Sequence, residues 1–388
     1  MDLQPTFAPQ FSRHELAFVL GMFYRSWMND TDQTIQPNLR VRARASNSNR
    51  AGRFEPYARV VEHDGWDIEE EEKLARTEVS IELPRSAITR NNSPDLPFDR
   101  SINPYRGCEH GCIYCFARPT HAYLGLSPGL DFETRLIARP LAPEVLRREL
   151  SAKRYTPQTI AIGTNTDPYQ PIEAQYGIMR EVLEVLREFK HPVAIVTKGT
   201  LVERDIDILG EMGRMGLAQV GISITSLGPK LSRGMEPRAP TPSRRLGVIE
   251  KLSRAGCPVR VMVAPIIPAL TDHELENILA AAADAGAKSA EWIMLRLPAE
   301  VSPLFQEWLA VHHPDRAERI MARVREMHGG KDYSAQWGQR MRGEGTYADL
   351  IARRFEVASV RTGLSRRSAS LRTDLFKVPG RAQQLSLF

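Results

Sequence analysis

What most constrains this chain is the alternation, from about residue 100 onward, of short β-branched runs with helical patterns. Candidate strands at residues 101–103, 159–163, 193–197, 219–224, 259–264 and 290–295 make six. Met179, Val182, Leu183 and Leu186 recur at helical spacing after the second. Helical patterns follow the third, fourth and fifth at residues 201–212, 243–255 and 272–285. Gaps filled by helices demand parallel pairing, because a crossover helix is how parallel neighbours are joined. The expected fold is α/β, a partial (βα)6 barrel of parallel strands with reactive groups at the strands' carboxyl ends. Residues 1–95 read as an N-terminal extension, partly flexible, and residues 96–330 as the barrel. Residues 331–388 read as a basic C-terminal segment that ends as a tail, with six Lys or Arg against one Asp from residue 361 on.

Composition excludes several classes. A chain of 388 residues, 42% apolar and 26% charged, can bury a core and is not a disordered tail protein. Its longest uninterrupted apolar stretch, residues 16–24, is nine residues, far below the roughly 20 that a bilayer-crossing helix needs. The net charge of +5 gains meaning only where it is concentrated. Three of the four cysteines crowd together, which reads as a metal site in a reducing cytoplasm rather than a disulfide framework.

The central motif follows the first strand: Gly107-Cys108-Glu109-His110-Gly111-Cys112-Ile113-Tyr114-Cys115, a C-x-x-x-C-x-x-C arrangement. Three thiolates at this spacing can curl around one face of an iron–sulfur cube and leave the fourth iron without a protein ligand. A structural zinc site completed by His110 or His121 is one competing reading, although the spacing is not the usual paired one. A redox pair at Cys112 and Cys115 is another, and it leaves Cys108 unexplained.

At these residues the sequence resembles the radical S-adenosylmethionine (SAM) superfamily, whose hallmark is this spacing with an aromatic residue before the third cysteine, here Tyr114. Residues 103–118, with Thr166-Asp167-Pro168-Tyr169-Gln170-Pro171-Ile172-Glu173 and Val196-Thr197-Lys198, look like the spore photoproduct lyase branch, also labelled DNA repair photolyase-like. The resemblance implies a lyase-like enzyme with a 4Fe-4S cluster on Cys108, Cys112 and Cys115. It also implies SAM at the open iron, cleaved reductively so that hydrogen is abstracted from a substrate, and an electron donor such as flavodoxin or ferredoxin. Tyr114 and Phe116 would face the adenine. Thr164, Asn165 and Thr166 stand where the family binds the SAM amino group, Lys198 where it meets the carboxylate, and Ser223 and Thr225 where they reach the ribose. Leu295 and Arg296 would help to form the wall nearest the adenine.

The chain departs from that branch in two respects. The lyases carry a hydrogen-donating cysteine near the end of the second strand, where this chain has Thr164-Asn165-Thr166, and a second tyrosine where it has Phe116. Tyr169 is the candidate substitute. The expected substrate is a DNA lesion or nucleobase, held by Arg238, Arg244 and Arg245 in a basic loop after the fourth strand. RNA, a peptide or a metabolite is the alternative substrate, and an iron–sulfur DNA-associated protein without turnover is the alternative class. The terminal Gln384, Leu385, Leu387 and Phe388 resemble the peptide by which bacterial repair proteins dock on the DNA sliding clamp.

Overall fold

A computed structural model describes residues 44–46, 48–55, 76–367 and 370–380. Ten strands occur among them: β1 (Glu78–Ile81), β2 (Ile88–Arg90), β3 (Arg100–Ile102), β4 (Tyr105–Arg106), β5 (Arg135–Ala138), β6 (Ile160–Ile162), β7 (Val193–Thr197), β8 (Ala218–Ser223), β9 (Val259–Ile266) and β10 (Ser289–Met294). One sheet runs β10-β9-β8-β7-β6-β3-β2. Its strands from β3 to β10 pair in parallel, and β2 closes the β3 edge antiparallel. These six parallel strands coincide with the six expected, and the chain is an α/β protein with the sheet of a partial (βα)6 barrel.

The parallel pairing follows from burial on both faces. β6 is buried at every position and β8 at all but one, as near-continuous apolar runs require when helices cover the sheet. The helix Ile178–Glu188 turns Ile178, Met179, Val182, Leu183, Val185 and Leu186 inward. A fully buried side chain of this kind contributes roughly 1.5–3 kcal/mol relative to leaving it exposed, so this face fixes the helix on the sheet. Among the described residues no helix is long and apolar enough to cross a membrane.

Two features lay beyond the sequence reading. A small second sheet, β1-β5-β4, joins part of the N-terminal extension to the chain after the cysteines. The basic C-terminal segment, as far as it is described, is packed rather than free. Its helix Gly345–Thr362 lies against Leu275–Asp284, where Arg354 Nε donates to Glu276 at 2.7 Å. Ser365 then bridges to Ser289 beside β10. Beyond it the N–H groups of Arg372 and Lys377 donate to the carbonyls of Gly216 and Phe189, at the amino ends of β8 and β7. Phe376 packs there against Phe189, His191 and Tyr155 with ring separations of 6.2, 5.6 and 5.6 Å. The clamp-like residues Gln384, Leu385, Leu387 and Phe388 lie outside the described residues.

Truncating Phe376 tests this packed floor. Phe376→Ala is expected to lower stability by about 1–2 kcal/mol, less than a fully buried phenylalanine would lose. Chemical denaturation measures it, and an unchanged midpoint would mean that the segment is a tail after all.

Candidate active site at the carboxyl ends of the strands

The cysteine loop leaves β4 and is fixed mainly by backbone hydrogen bonds. Cys108 N donates to Phe132 O at 2.9 Å, Ile113 N to Met235 O at 3.0 Å and Cys115 N to Cys112 O at 3.1 Å. Gly107 and Gly111 take positive φ of 74° and 64°, the region that favours glycine. A Cβ on Gly111 would stand 2.6 Å from Glu133 Oε2.

Beneath the loop lies Arg118, fully buried. Its guanidinium donates to Cys112 O at 3.0 Å, Gly111 O at 3.1 Å, Pro128 O at 3.0 Å and Gly129 O at 2.9 Å, and to Glu133 Oε1 at 2.6 Å. Glu133 in turn accepts from the backbone N–H groups of Ala45 and Ser46 at 3.2 and 3.1 Å. Arg44 donates to Glu133 O and Thr77, and Thr77 donates to Glu109. Gln170 brackets the first cysteine by accepting from Glu109 N at 2.8 Å and donating to Gly107 O at 3.1 Å.

The thiols of Cys108, Cys112 and Cys115 are free. Burial pushes all three upward in pKa, and neighbouring thiols add to the rise for Cys108 and Cys112. Among the described residues no group of three or more His, Cys, Asp or Glu side chains is gathered as a single metal ion would need. A cubane makes no such demand, because each thiolate takes a different iron. Three free thiols on one rigid loop therefore fit a 4Fe-4S cluster.

Three of the expected cofactor residues, Tyr114, Thr225 and Lys198, converge on a side chain that the sequence did not reveal. Glu236 is buried with its carboxylate accepting from the Tyr114 hydroxyl, from Thr225 Oγ1 at 3.1 Å and from Arg245. Lys198 Nζ lies 3.7 Å from the same carboxylate and donates to Ser223 Oγ at 2.7 Å. Burial lowers the Lys198 pKa, and Cys112 opposes that shift. Ser223 and Thr225 share one face, as strand alternation requires, since both hydroxyls reach Ala264 O at 2.9 and 3.1 Å.

Asp167 ties β6 to β7. It accepts from Thr197 Oγ1 at 2.6 Å and Lys198 N at 2.7 Å and lies 3.2 Å from His110 Nδ1. Burial acts to raise its carboxyl, but the His110 charge and these hydrogen bonds outweigh that and hold it at about 2. The carboxylate is thus ionised at any neutral pH. Thr164 and Asn165 are half-buried, while the Thr166 hydroxyl is buried and donates to Tyr105 O at 2.9 Å.

Two expectations need correction. Arg245 is 1% exposed and its guanidinium is spent on Glu236, Ser223 O and Pro240 O, so it is a core ion pair and not a surface cation for nucleic acid. Tyr169 is buried with its hydroxyl donating to Asp205 at 3.1 Å, which occupies the O–H that a hydrogen relay would use. Arg244 is exposed, and Arg238 pairs with Glu109 at 2.9 Å. Phe116 is partly exposed beneath Arg296. The motif gave Glu236 and Glu133 no signal. Arg118, Asp167 and Gln170 stood in the quoted stretches without a role.

Residues 102–282 match the family described as the radical SAM superfamily. Uncharacterized proteins of Mycobacterium tuberculosis and Mycobacterium bovis are 39% identical over 249 residues, covering 63% of this chain and 72% of theirs. A solved spore photoproduct lyase complexed with dinucleoside spore photoproduct superposes with a TM-score of 0.56 at 14% identity, over 76% of this chain and 82% of that one. A mutant of the same lyase with bound AdoMet and dinucleoside spore photoproduct gives 0.56 over 76% and 84%. At such identities the likeness is one of fold.

The glycine contact provides the test of the loop. Gly111→Ala is expected to fold with unchanged circular dichroism yet to retain less than about a third of wild-type iron after anaerobic reconstitution, because of positive-φ strain and the clash with Glu133. Full iron content would show that the loop tolerates the shift.

Proposed function

This chain belongs to the radical SAM superfamily and is a radical SAM enzyme, and we propose that it acts on a nucleic acid, most specifically on a DNA lesion or nucleobase. Cys108, Cys112 and Cys115 would hold the 4Fe-4S cluster, and SAM would bind beside it. When bound, cluster and SAM supply a one-electron reductive cleavage whose outcome is hydrogen abstraction from the substrate. An electron donor such as flavodoxin or ferredoxin supplies the electron.

The protein's part is binding and exclusion of water. Lys198 keeps N–H groups beyond its bond to Ser223 and meets the SAM carboxylate in a charge-assisted contact. Thr164 and Asn165 offer polar groups to the amino end, while the oxygens of Ser223 and Thr225, whose hydroxyl protons go to Ala264 O and Glu236, are left to accept from the ribose hydroxyls. Tyr114 sets its backbone between two cluster ligands. Its hydroxyl, held by Glu236, fixes the ring. The observation that carries this reading is the gathering of Tyr114, Lys198 and Thr225 around one buried carboxylate next to the cysteine loop.

Support for a nucleic acid comes from the mouth. Lys230 and Arg233 are exposed on the helix Pro229–Met235 and Arg244 on the helix Pro242–Arg254, both after β8, and the lyase with a similar fold was solved with a dinucleoside photoproduct. The cysteine that serves those lyases is absent here, so repair of that same lesion is not part of the proposal. The C-terminal residues Gln384, Leu385, Leu387 and Phe388 would tether the enzyme to the sliding clamp and raise its local concentration on DNA.

Two linked assays test the proposal. Reduced, anaerobically reconstituted enzyme is expected to release 5′-deoxyadenosine from SAM. Its affinity for single-stranded DNA should fall steeply with salt, with a shallower slope in the triple variant Lys230→Gln, Arg233→Gln, Arg244→Gln. Turnover of SAM without binding to DNA or RNA at any salt would move the substrate to a peptide or metabolite.

A further inference from the structure

The buried and half-buried cations around the site are mostly neutralised. Arg118 meets Glu133 at 2.6 Å, Arg238 meets Glu109 at 2.9 Å, Arg245 meets Glu236, and Lys198 lies 3.7 Å from Glu236. Arg296 is different. It follows β10 at the carboxyl end of the sheet, and no carboxylate among the described residues pairs with it.

What holds Arg296 is aromatic. Its guanidinium carbon lies 4.6 Å from the ring centroid of Phe116, the residue after the third cysteine, and 6.0 Å from that of Tyr333. Among the described residues a single long hydrogen bond, 3.3 Å from Nη2 to the Tyr333 hydroxyl, makes up its polar contacts, and Nε is buried with no partner among them. Beside it His328, 2% exposed, has its Nδ1 buried without a partner and its ring 6.0 Å from that of Tyr333. Stacking orients a guanidinium but does not neutralise it. A partly buried cation with unfilled donors is costly unless an anion completes it. Phe116, 42% exposed, leaves an aromatic ring open beside that cation.

We propose that Arg296, steadied by Phe116 and Tyr333, is the anion-binding group of the substrate site and takes a phosphate oxygen of a nucleotide unit. The proposal rests on the nucleic-acid reading above. Its geometry suits that substrate: a planar fork recognises phosphate oxygens, and a half-exposed ring next to it accepts the face of an unstacked base. Lys198 serves the carboxylate of SAM at β7, so Arg296 at β10 is free for a second anion.

The test measures equilibrium binding to reconstituted, unreduced enzyme, with three probes: a fluorescent single-stranded oligonucleotide, inorganic pyrophosphate as competitor, and SAM. Arg296→Gln is expected to weaken oligonucleotide binding by about tenfold or more, as loss of a charge-assisted bond would. Iron content should stay at the wild-type level, and SAM affinity, to which Arg296 contributes at most as part of the wall near the adenine, should fall by much less than oligonucleotide affinity does. Arg296→Lys should recover part of the loss. Tyr333→Phe, which removes only the hydroxyl, should weaken the oligonucleotide less than Arg296→Gln does. Unchanged oligonucleotide affinity in Arg296→Gln overturns the proposal, and so does a loss of SAM affinity instead, which would assign Arg296 to the cofactor. If wild-type enzyme bound pyrophosphate through Arg296 but no oligonucleotide, the anion site would stand and the nucleic-acid reading would fall.

Discussion

A carboxylate removed from water persists only when donors are gathered around it, and Glu236 gathers its donors from four parts of the chain. Tyr114 comes from the cysteine loop, Lys198 from the end of β7, Thr225 from the end of β8 and Arg245 from the helix Pro242–Arg254. The loop that carries the thiols is thereby set against the strand ends that carry the polar side chains. Removing such a carboxylate would strand two buried cations, a loss of about 3–5 kcal/mol when one partner of a buried pair is deleted. Glu236 thus links the rigidity of the fold to the geometry of the site.

A second buried pair works from the other side. Arg118 and Glu133, both fully buried, hold the underside of the cysteine loop, and Glu133 also accepts from the backbone of Ala45 and Ser46. The part of the N-terminal extension that is described is therefore a wall of the site, and Ala45 shares a core with Cys112, Ile113 and Tyr114. The helix Val301–His312 closes the same core, where Trp308 Nε1 donates to Gly234 O at 3.0 Å. Cys108 and Cys112 are buried and Cys115 is half-buried, surroundings that suit oxygen-sensitive chemistry.

The strands of the barrel were legible because a parallel sheet covered on both faces must be apolar along its length, and β-branched runs separated by helical periods have little other use. The cysteine loop was legible because its spacing is rare. Arg245 and Tyr169 misled for a common reason: a sequence shows a residue's type but not its partner. Arg245 sits one residue from the exposed Arg244, yet helical periodicity turns it inward onto Glu236. Glu236 lies in a Met-Glu-Pro stretch with no motif, and its importance comes from contacts spanning 122 to 9 residues of sequence separation. The C-terminal segment was misjudged because charge dominated its composition, while the few apolar residues that dock it, Leu364 and Phe376 among them, are widely spaced.

The central claim is that the three cysteines leave one iron open to SAM beside Lys198 and Glu236. Electron paramagnetic resonance of the reduced, reconstituted protein, recorded with and without SAM, tests it most directly. A reduced 4Fe-4S signal whose g values shift when SAM is added is expected. A signal that is unaltered by saturating SAM, or no cluster signal at all, would contradict it.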